Sequence, residues 1–418
     1  MHIIVLGAGL AGVTSAWYLR QDGHAVTVLD RRSAAGLETS YANGGQISVS
    51  HPEPWANPRA PSQVLRWLGR EDAPLRFRPR RDAAQWSWGL RFLLECLPGR
   101  AHRNTAVIAR LAVYSRLQLN ALREATGIEY ERLDRGILHL FFTPGEFSRA
   151  ERRAALLADL GIRGEVLDAA ACIRLEPALA HAEERIAGGL HAPDDESGDA
   201  FQFTQRLATL CRQAGVNFVF EANAVALRPD GTDRIAAVLL EDRTGTAELG
   251  ADAVLVALGS HSPALVRPLG ERLPIYPVKG YSVTLPLDDG AAAPTVSLTD
   301  EAHRIVFSRL GRRLRIAGTA ELAGFDTAVD PARCHAILRR AQRLFPRLQA
   351  SGAPEFWAGL RPATPGNVPV IGSGTFANLY YNTGHGTLGW TLACGASRAI
   401  ADIIGGSPPV VEFPFRGL

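Results

Sequence analysis

Apolar residues fill His2–Leu6 almost without interruption and give way to Gly7-Ala8-Gly9-Leu10-Ala11-Gly12. Val13–Arg20 then runs at helical spacing up to Gly23, which predicts a buried strand, a glycine turn and a helix. Ala25–Leu29 predicts a second strand with Asp30 at its carboxyl end. Further along, Asn217–Leu227 and Ile235–Glu241 read as strands joined through Pro229-Asp230-Gly231, and Asp252–Ser260 as a buried strand ending in a Gly-Ser turn. Lys279–Leu285 and His303–Arg309 read as sheet segments. Asn378–Tyr381 reads as a strand, followed by a glycine-rich loop and a helix from about Leu388 to Ile404. Trp86, Leu90, Leu93, Leu94 and Leu97 form a stripe at helical spacing, open to two readings: a helix packed on the core, or one lying in a membrane interface. The fold class predicted is α/β.

The first of these units carries chemistry. Gly7 permits the tight turn, Gly9 lets the backbone approach a pyrophosphate, and Gly12 lets the helix pack on the strand. The N–H groups at Leu10 and Ala11 sit at the positive end of the helix, and Asp30 is placed to accept from ribose hydroxyls. Arg31 and Arg32 follow as surface charge, Arg31 near enough to Asp30 to count among cofactor contacts. This fingerprint serves NAD and FAD alike. The next loop, Leu37–Ser48, is small, polar and glycine-containing, and its Thr39, Ser40, Asn43, Gly44, Gly45 and Gln46 suit a backbone running beside a flat ring system. A second strand–loop–helix unit brings Gly384, His385, Gly386, Thr387 and Leu388 to a helix amino terminus, where charge developing on a flavin would be stabilised. Val225, and Ala257 with Gly259 at the end of their strand, complete the expected cofactor contacts. Gly372-Ser373-Gly374-Thr375-Phe376-Ala377 matches the same fingerprint, but a strand follows it, so it is rejected as a second dinucleotide site.

Composition narrows the class. A length of 418 residues predicts two or three domains. A net charge of +3 excludes a dedicated nucleic-acid binder, and 46% hydrophobic residues exclude wholesale disorder. Five scattered cysteines without a CxxC pair exclude a disulfide framework, a zinc ribbon and an iron–sulfur pattern. The acidic run Asp194–Asp199 lacks EF-hand spacing, so a turn and helix cap before Phe201 is expected, and no metal. With no basic leader and no apolar run of bilayer length, a cytoplasmic protein is expected. Seven arginines and two tryptophans within residues 76–103 leave room for peripheral contact with the inner face of the membrane. Of 45 basic residues only Lys279 is a lysine, which marks it for a role near cofactor, substrate or a water, or in a buried hydrogen bond.

Val5–Leu19, Tyr41–Gln46, Tyr276–Ser282, Trp357–Pro365 and Asn382–Trp390 together make the chain resemble the FAD-dependent D-amino-acid dehydrogenases, within the group that holds D-amino-acid oxidase, glycine oxidase and sarcosine oxidase. The resemblance implies a discontinuous FAD domain (1–60, 185–270 and 355–418) and a substrate domain (61–184 and 271–354) with a mixed, largely antiparallel sheet. It implies oxidation of a D-amino acid to an imine, hydrolysed to a 2-oxo acid and ammonia, with electrons passed to an external quinone, carrier or oxygen. Arg361, set between apolar residues and Pro362, matches the position that holds the substrate carboxylate. Tyr281, His303, Lys279 and His51 are further candidate catalytic residues. Gly44, and Ser50-His51-Pro52-Glu53-Pro54-Trp55, depart from the wording of the alanine-degrading members. Cyclic D-imino acids such as D-proline therefore remain an alternative substrate, a sarcosine- or glycine-type oxidase a more distant one, and a non-catalytic FAD subunit the alternative of a different class.

Overall fold

The computed structural model describes residues 1–67, 74–288 and 292–417. Its first sheet has six strands in the order Val370–Ser373, Leu379–Thr383, Ala253–Val256, His2–Leu6, Ala25–Asp30 and Asn217–Phe220. All pairs are parallel except the first. The central strands are apolar on both faces because both are covered. Ile3 and Val5 meet the helices Leu10–Gln21, Ala200–Gln213 and Gly389–Ile404, whereas Ile4 and Leu6 meet a three-stranded sheet spanning Asn223–Gly250.

The predicted strand Asn217–Leu227 is two strands. Glu221 adopts a left-handed φ of 58°, and its N–H donates to the Arg32 carbonyl, so the chain turns out of the parallel sheet and begins the three-stranded one at Asn223. Residues 372–377 do lead into a strand, and Asp199 caps the helix Ala200–Gln213 by accepting from the Phe201 and Gln202 N–H groups. Glu196–Ser197 in the acidic run pairs with Gln46–Ile47.

The second sheet runs Glu355–Ala363, Tyr276–Pro286, Arg313–Leu322, Ile305–Leu310, Ser297–Asp300, Ile137–Phe141, Gly188–Ala192, Glu165–Asp168, with Leu75–Phe77 added beside Arg313–Leu322. Two of its strands, Gly188–Ala192 and Glu355–Ala363, fall inside the segments expected to form the cofactor domain. Long-range pairing overrides a boundary drawn from sequence position. One face of this sheet buries Tyr281, Val283 and Ile316 against the helix Pro331–Leu344. The other faces the first sheet. The helix Pro98–Thr126 ties the halves together by packing on Gly389–Ile404, where a Cβ at Gly395 would lie 2.8 Å from the Ser115 backbone.

The predicted stripe lies on the helix Ala83–Glu95 and just beyond it, but it faces outward: Trp86, Leu90, Leu93, Leu94 and Leu97 are each more than half exposed. Gln85 and Trp88 make the contact with the core, Trp88 Nε1 donating to the Ala363 carbonyl at 2.8 Å. Among the described residues no helix is long and apolar enough to cross a membrane.

Candidate active site

A cavity of about 1780 Å³ lies between the two sheets. On the side of the first sheet its wall is largely backbone. Gly7 has a φ of 104° and abuts the Ala257 carbonyl. Gly12 is packed so closely that a Cβ would come within 1.8 Å of the Gly7 oxygen, so it shapes the turn and does not itself line the cavity. Gly9 is open, with nothing nearer a Cβ than Ser40 Oγ at 3.8 Å. The helix it precedes has no side-chain cap at Gly9; among the described residues its first turn is met by Ser40 Oγ, which accepts from the Leu10 N–H at 3.1 Å, and the end is open to an anion. Asp30 accepts from the Ala8 and Arg32 amides at 2.6 and 2.8 Å while lining the cavity, and burial raises its pKa above the usual carboxylate range. Arg31 is ion-paired with Glu38 at 2.7 Å and also lines the cavity.

Thr39, Ser40, Asn43, Gly44, Gly45 and Gln46 all line the cavity, as do Val225, Ala257 and Gly259. Gln46 reaches across to Ser297 Oγ, Thr299 Oγ1 and the Leu298 carbonyl, pinning this loop to the second sheet. Gly44 lies flat on that sheet: a Cβ would meet Val306 Cγ2 at 2.7 Å, which accounts for glycine here. At the carboxyl-terminal unit His385, Gly386, Thr387 and Leu388 line the cavity, whereas Gly384 packs on Thr364 and Ile275 behind it. The helix Gly389–Ile404 again lacks a side-chain cap. His385 is buried, its pKa is pushed down to about 4 by desolvation, and its Nε2 has no hydrogen-bond partner among the described residues.

The second sheet supplies side chains. Arg361 is half-buried in the cavity wall, and its guanidinium lies where a Cβ on Gly280 would be, so that glycine makes room for it. It donates to the Thr319 carbonyl at 3.0 Å and stands 5.9 Å over the Trp55 ring. Among the described residues it faces no carboxylate, and burial alone lowers its pKa to about 10. Thr319 has a left-handed φ of 59° and an unpartnered Oγ1.

Of the other sequence candidates, Lys279 and His303 lie off the cavity wall and Tyr281 only touches it. Strand alternation turns Lys279 and Tyr281 to the face opposite Arg361. Lys279 Nζ donates to Asp326 at 2.9 Å and to the Ala328 carbonyl at 3.0 Å, and Lys279 is absent from the cavity wall. Tyr281 touches the cavity, but its hydroxyl donates to buried Glu321 at 2.7 Å. His303 sits in the turn before its strand, held by Asp300 at 3.0 Å, and does not line the cavity. His51 does line it, stacked on His139 at 5.6 Å. His51, His139 and Glu301 present ligand atoms within 4.8 Å of one another. Arg153 enters this group, donating to Glu301 at 2.7 Å and to His51 Nδ1 at 2.5 Å, so a guanidinium already satisfies the acceptors a cation would use. His139, Glu301 and Arg153 have no counterpart among the sequence candidates, and Trp55 figures there only as part of the divergent segment 50–55. The one available signal was a lone histidine inside the apolar run Ile137–Phe141.

Uncapped helix ends, a glycine cradle and an acid at the second strand, facing a mixed sheet across a large cavity, are the features of a dinucleotide-dependent oxidoreductase. The chain belongs to the FAD dependent oxidoreductase family, whose model matches residues 2–403, and FAD is its cofactor. It is 52% identical over 415 residues to a protein named D-amino acid dehydrogenase from Dechloromonas aromatica, covering 99% of each chain. It is 51% identical to one of the same name from Paramagnetospirillum magneticum, covering 100% of this chain and 98% of that one. Among solved structures, the fold is shared with glycine oxidase from Geobacillus kaustophilus at a TM-score of 0.76 and 21% identity, over 100% of this chain and 98% of the other. L-proline dehydrogenase from P. horikoshii matches at 0.72 and 16%, over 99% and 95%.

Proposed function

We propose that the protein oxidises D-amino acids to 2-oxo acids and ammonia and hands the electrons to an external acceptor. The observation that carries this reading is Arg361. A half-buried, partly desolvated guanidinium that faces no carboxylate among the described residues favours the arrival of an anion, and the planar fork fits a substrate carboxylate. FAD, when bound, supplies the hydride acceptor. Arg361 fixes the carboxylate, Trp55 covers the guanidinium, and Gly44 and Gly280 keep the wall thin where substrate and ring must approach. The relatives at 52% and 51% identity support the D configuration.

The test is anaerobic bleaching of the bound flavin by matched D- and L-amino acids, with D-proline and cis-4-hydroxy-D-proline included. Reduction by D-amino acids only is expected. Bleaching by the imino acids alone moves the reading to the cyclic alternative, and no bleaching by either class sinks it.

The acceptor belongs to the same proposal. The cavity wall extends to Pro61, Val64 and Leu65 on the helix Ala60–Trp67 and to Trp86, Leu90 and Leu93 on Ala83–Glu95. That end opens among exposed apolar side chains, with Arg59, Arg66 and Arg91 nearby in sequence. An apolar mouth with basic neighbours supports peripheral contact with an anionic membrane and a lipid-soluble quinone as acceptor. Co-sedimentation with anionic vesicles at low salt checks the contact, and its absence removes it.

A further inference from the structure

Behind His51 a row of four side chains runs from the cavity wall into the interior. Asp195 Oδ2 lies 2.5 Å from Ser50 Oγ, Ser50 Oγ lies 3.1 Å from His139 Nε2, and His139 Nδ1 lies 2.9 Å from Glu301 Oε1. Asp195, Ser50 and His139 are buried, while Glu301 keeps 10% of its side chain exposed and lines the cavity. Three contacts need three bridging hydrogens. With both carboxylates ionised and the imidazole neutral, the row holds two: the serine hydroxyl and one ring N–H. One contact would then set two lone pairs against each other. One added proton, held at Asp195 or His139, turns every contact into a hydrogen bond.

We infer that the row Asp195–Ser50–His139–Glu301 is a one-proton store in the cavity wall, and that it takes up the proton the substrate ammonium must shed before its Cα hydrogen can leave as hydride. This rests on the reading of the protein as an amino-acid-oxidising enzyme. A D-amino acid arrives as a zwitterion, and a protonated nitrogen has no lone pair to stabilise the cation formed at Cα. In the transfer one ammonium N–H bond breaks, and its electron pair stays on nitrogen. The proton is bound at the Glu301–His139 contact. It moves inward as Nε2–H passes to Ser50 Oγ and the serine hydrogen passes to Asp195. Nothing is oxidised in this step, and the proton returns to water through the cavity after the product leaves.

Sheet register places the row within reach. Gly318, Ile305 and Asp300 stand side by side on three adjacent strands, so the backbones leading into Thr319 and Glu301 are two strand spacings, roughly 10 Å, apart, and both residues line the cavity. The Arg361 guanidinium binds the Thr319 carbonyl, so it sits on the Thr319 side of that gap. An amino acid and a water span that gap.

The surrounding charges fit a proton that rests deep in the row. Arg153 and Arg304 donate to Glu301 at 2.7 Å each, Arg153 faces Glu53 at 3.4 Å, and His51 stacks on His139. Burial opposes ionisation of Glu301, but Arg153, His139 and Arg304 more than offset it and hold its pKa well below the usual value. Burial, with Arg153 beside it, lowers the pKa of His139 and keeps it neutral. Burial pushes Asp195 up to about 7, opposed by the Val49 and Ser50 hydrogen bonds and by Arg116. A carboxyl raised in this way keeps its proton below neutrality and releases it as pH rises, so the store is empty and receptive on the alkaline side.

The decisive variant is Asp195→Asn in the holoenzyme. Its carbonyl still accepts from the Val49 amide and its NH₂ donates to Ser50, which imitates the loaded row at every pH. Wild-type flavin reduction by a D-amino acid is expected to rise with pH across neutrality, and D195N to be about tenfold slower above neutrality with no such limb. With a pH-indicator dye, wild type above neutrality should release no proton in the reduction phase and D195N one per flavin. Ser50→Ala, which cuts the row, should also lose the limb. Independently of turnover, infrared spectra should show a carboxylic acid C=O band that titrates near neutrality and is missing from D195N. An unchanged limb in D195N, or no such band, overturns the inference while leaving the activity intact. Failure of every D-amino acid to bleach the flavin overturns the activity itself.

Discussion

The wall that faces the nucleotide is built mostly from main chain, whereas the wall that closes over it is built from side chains carried on a sheet. Gly7, Gly9 and Gly12 shape the first wall through what they lack, and two helix ends without side-chain caps face it. Arg361, Trp55, Thr319 and the row from Glu301 to Asp195 act through where strand pairing and loop packing deliver them. Main-chain recognition depends on local geometry and leaves a short fingerprint. Side-chain recognition depends on register between strands far apart in sequence, so single substitutions there should alter chemistry more than cofactor retention.

Arg361→Met tests that contrast most severely. The rate of flavin reduction per substrate concentration should fall about a thousandfold, about 4 kcal/mol, with FAD content unchanged, as stopped-flow and absorbance measure. Gly12→Ala should do the reverse. Its Cβ would strike the Gly7 carbonyl, so FAD stoichiometry and thermal stability collapse, by about 3 kcal/mol or more in chemical unfolding. Lys279→Arg should cost about 2 kcal/mol of stability, since a larger head must fit the pocket made by Asp326 and Ala328, yet leave reduction of the folded flavoenzyme as in wild type. Slower reduction would return Lys279 to the chemistry. Gly44→Ala should slow reduction about tenfold by pressing on Val306, and Val306→Ala in the same chain should restore most of it; additive losses would disprove the contact. Leu90→Ser with Leu93→Ser should leave reduction in solution unchanged and diminish only binding to anionic vesicles.

How much could be read in advance follows the same division. The strand–glycine–helix unit, Asp30, the loop 39–46 and the 385–388 turn were all legible, because each is a local pattern with a local reason. Arg361 was legible through its neighbours: apolar residues before it and a proline after it. Lys279 and His303 lie off the cavity wall, and Tyr281 touches it with its hydroxyl turned to Glu321, because proximity in sequence to a sheet segment does not say which face a side chain takes. Period-two alternation sends Lys279 and Tyr281 away from Arg361, and a turn holds His303 on Asp300. The strand predicted over Asn217–Leu227 failed at Glu221, where a left-handed residue splits it between two sheets. His139 and Glu301 stayed hidden because they matter only together, 162 residues apart along the chain.

Sequence by itself determined the parallel strand–glycine–helix unit, the helix termini without side-chain caps, and the place of Arg361 in the cavity wall, since turn geometry, helix polarity and apolar flanks are fixed within a few neighbouring residues. Tertiary structure alone decided which face of the second sheet becomes the cavity, that Lys279 ends in a buried hydrogen bond, that the Trp86–Leu97 stripe points outward, and that two carboxylates share a serine and a histidine. The reason is physical. Burial, register and the matching of donors to acceptors depend on which distant segments pack together, and no local pattern encodes that pairing.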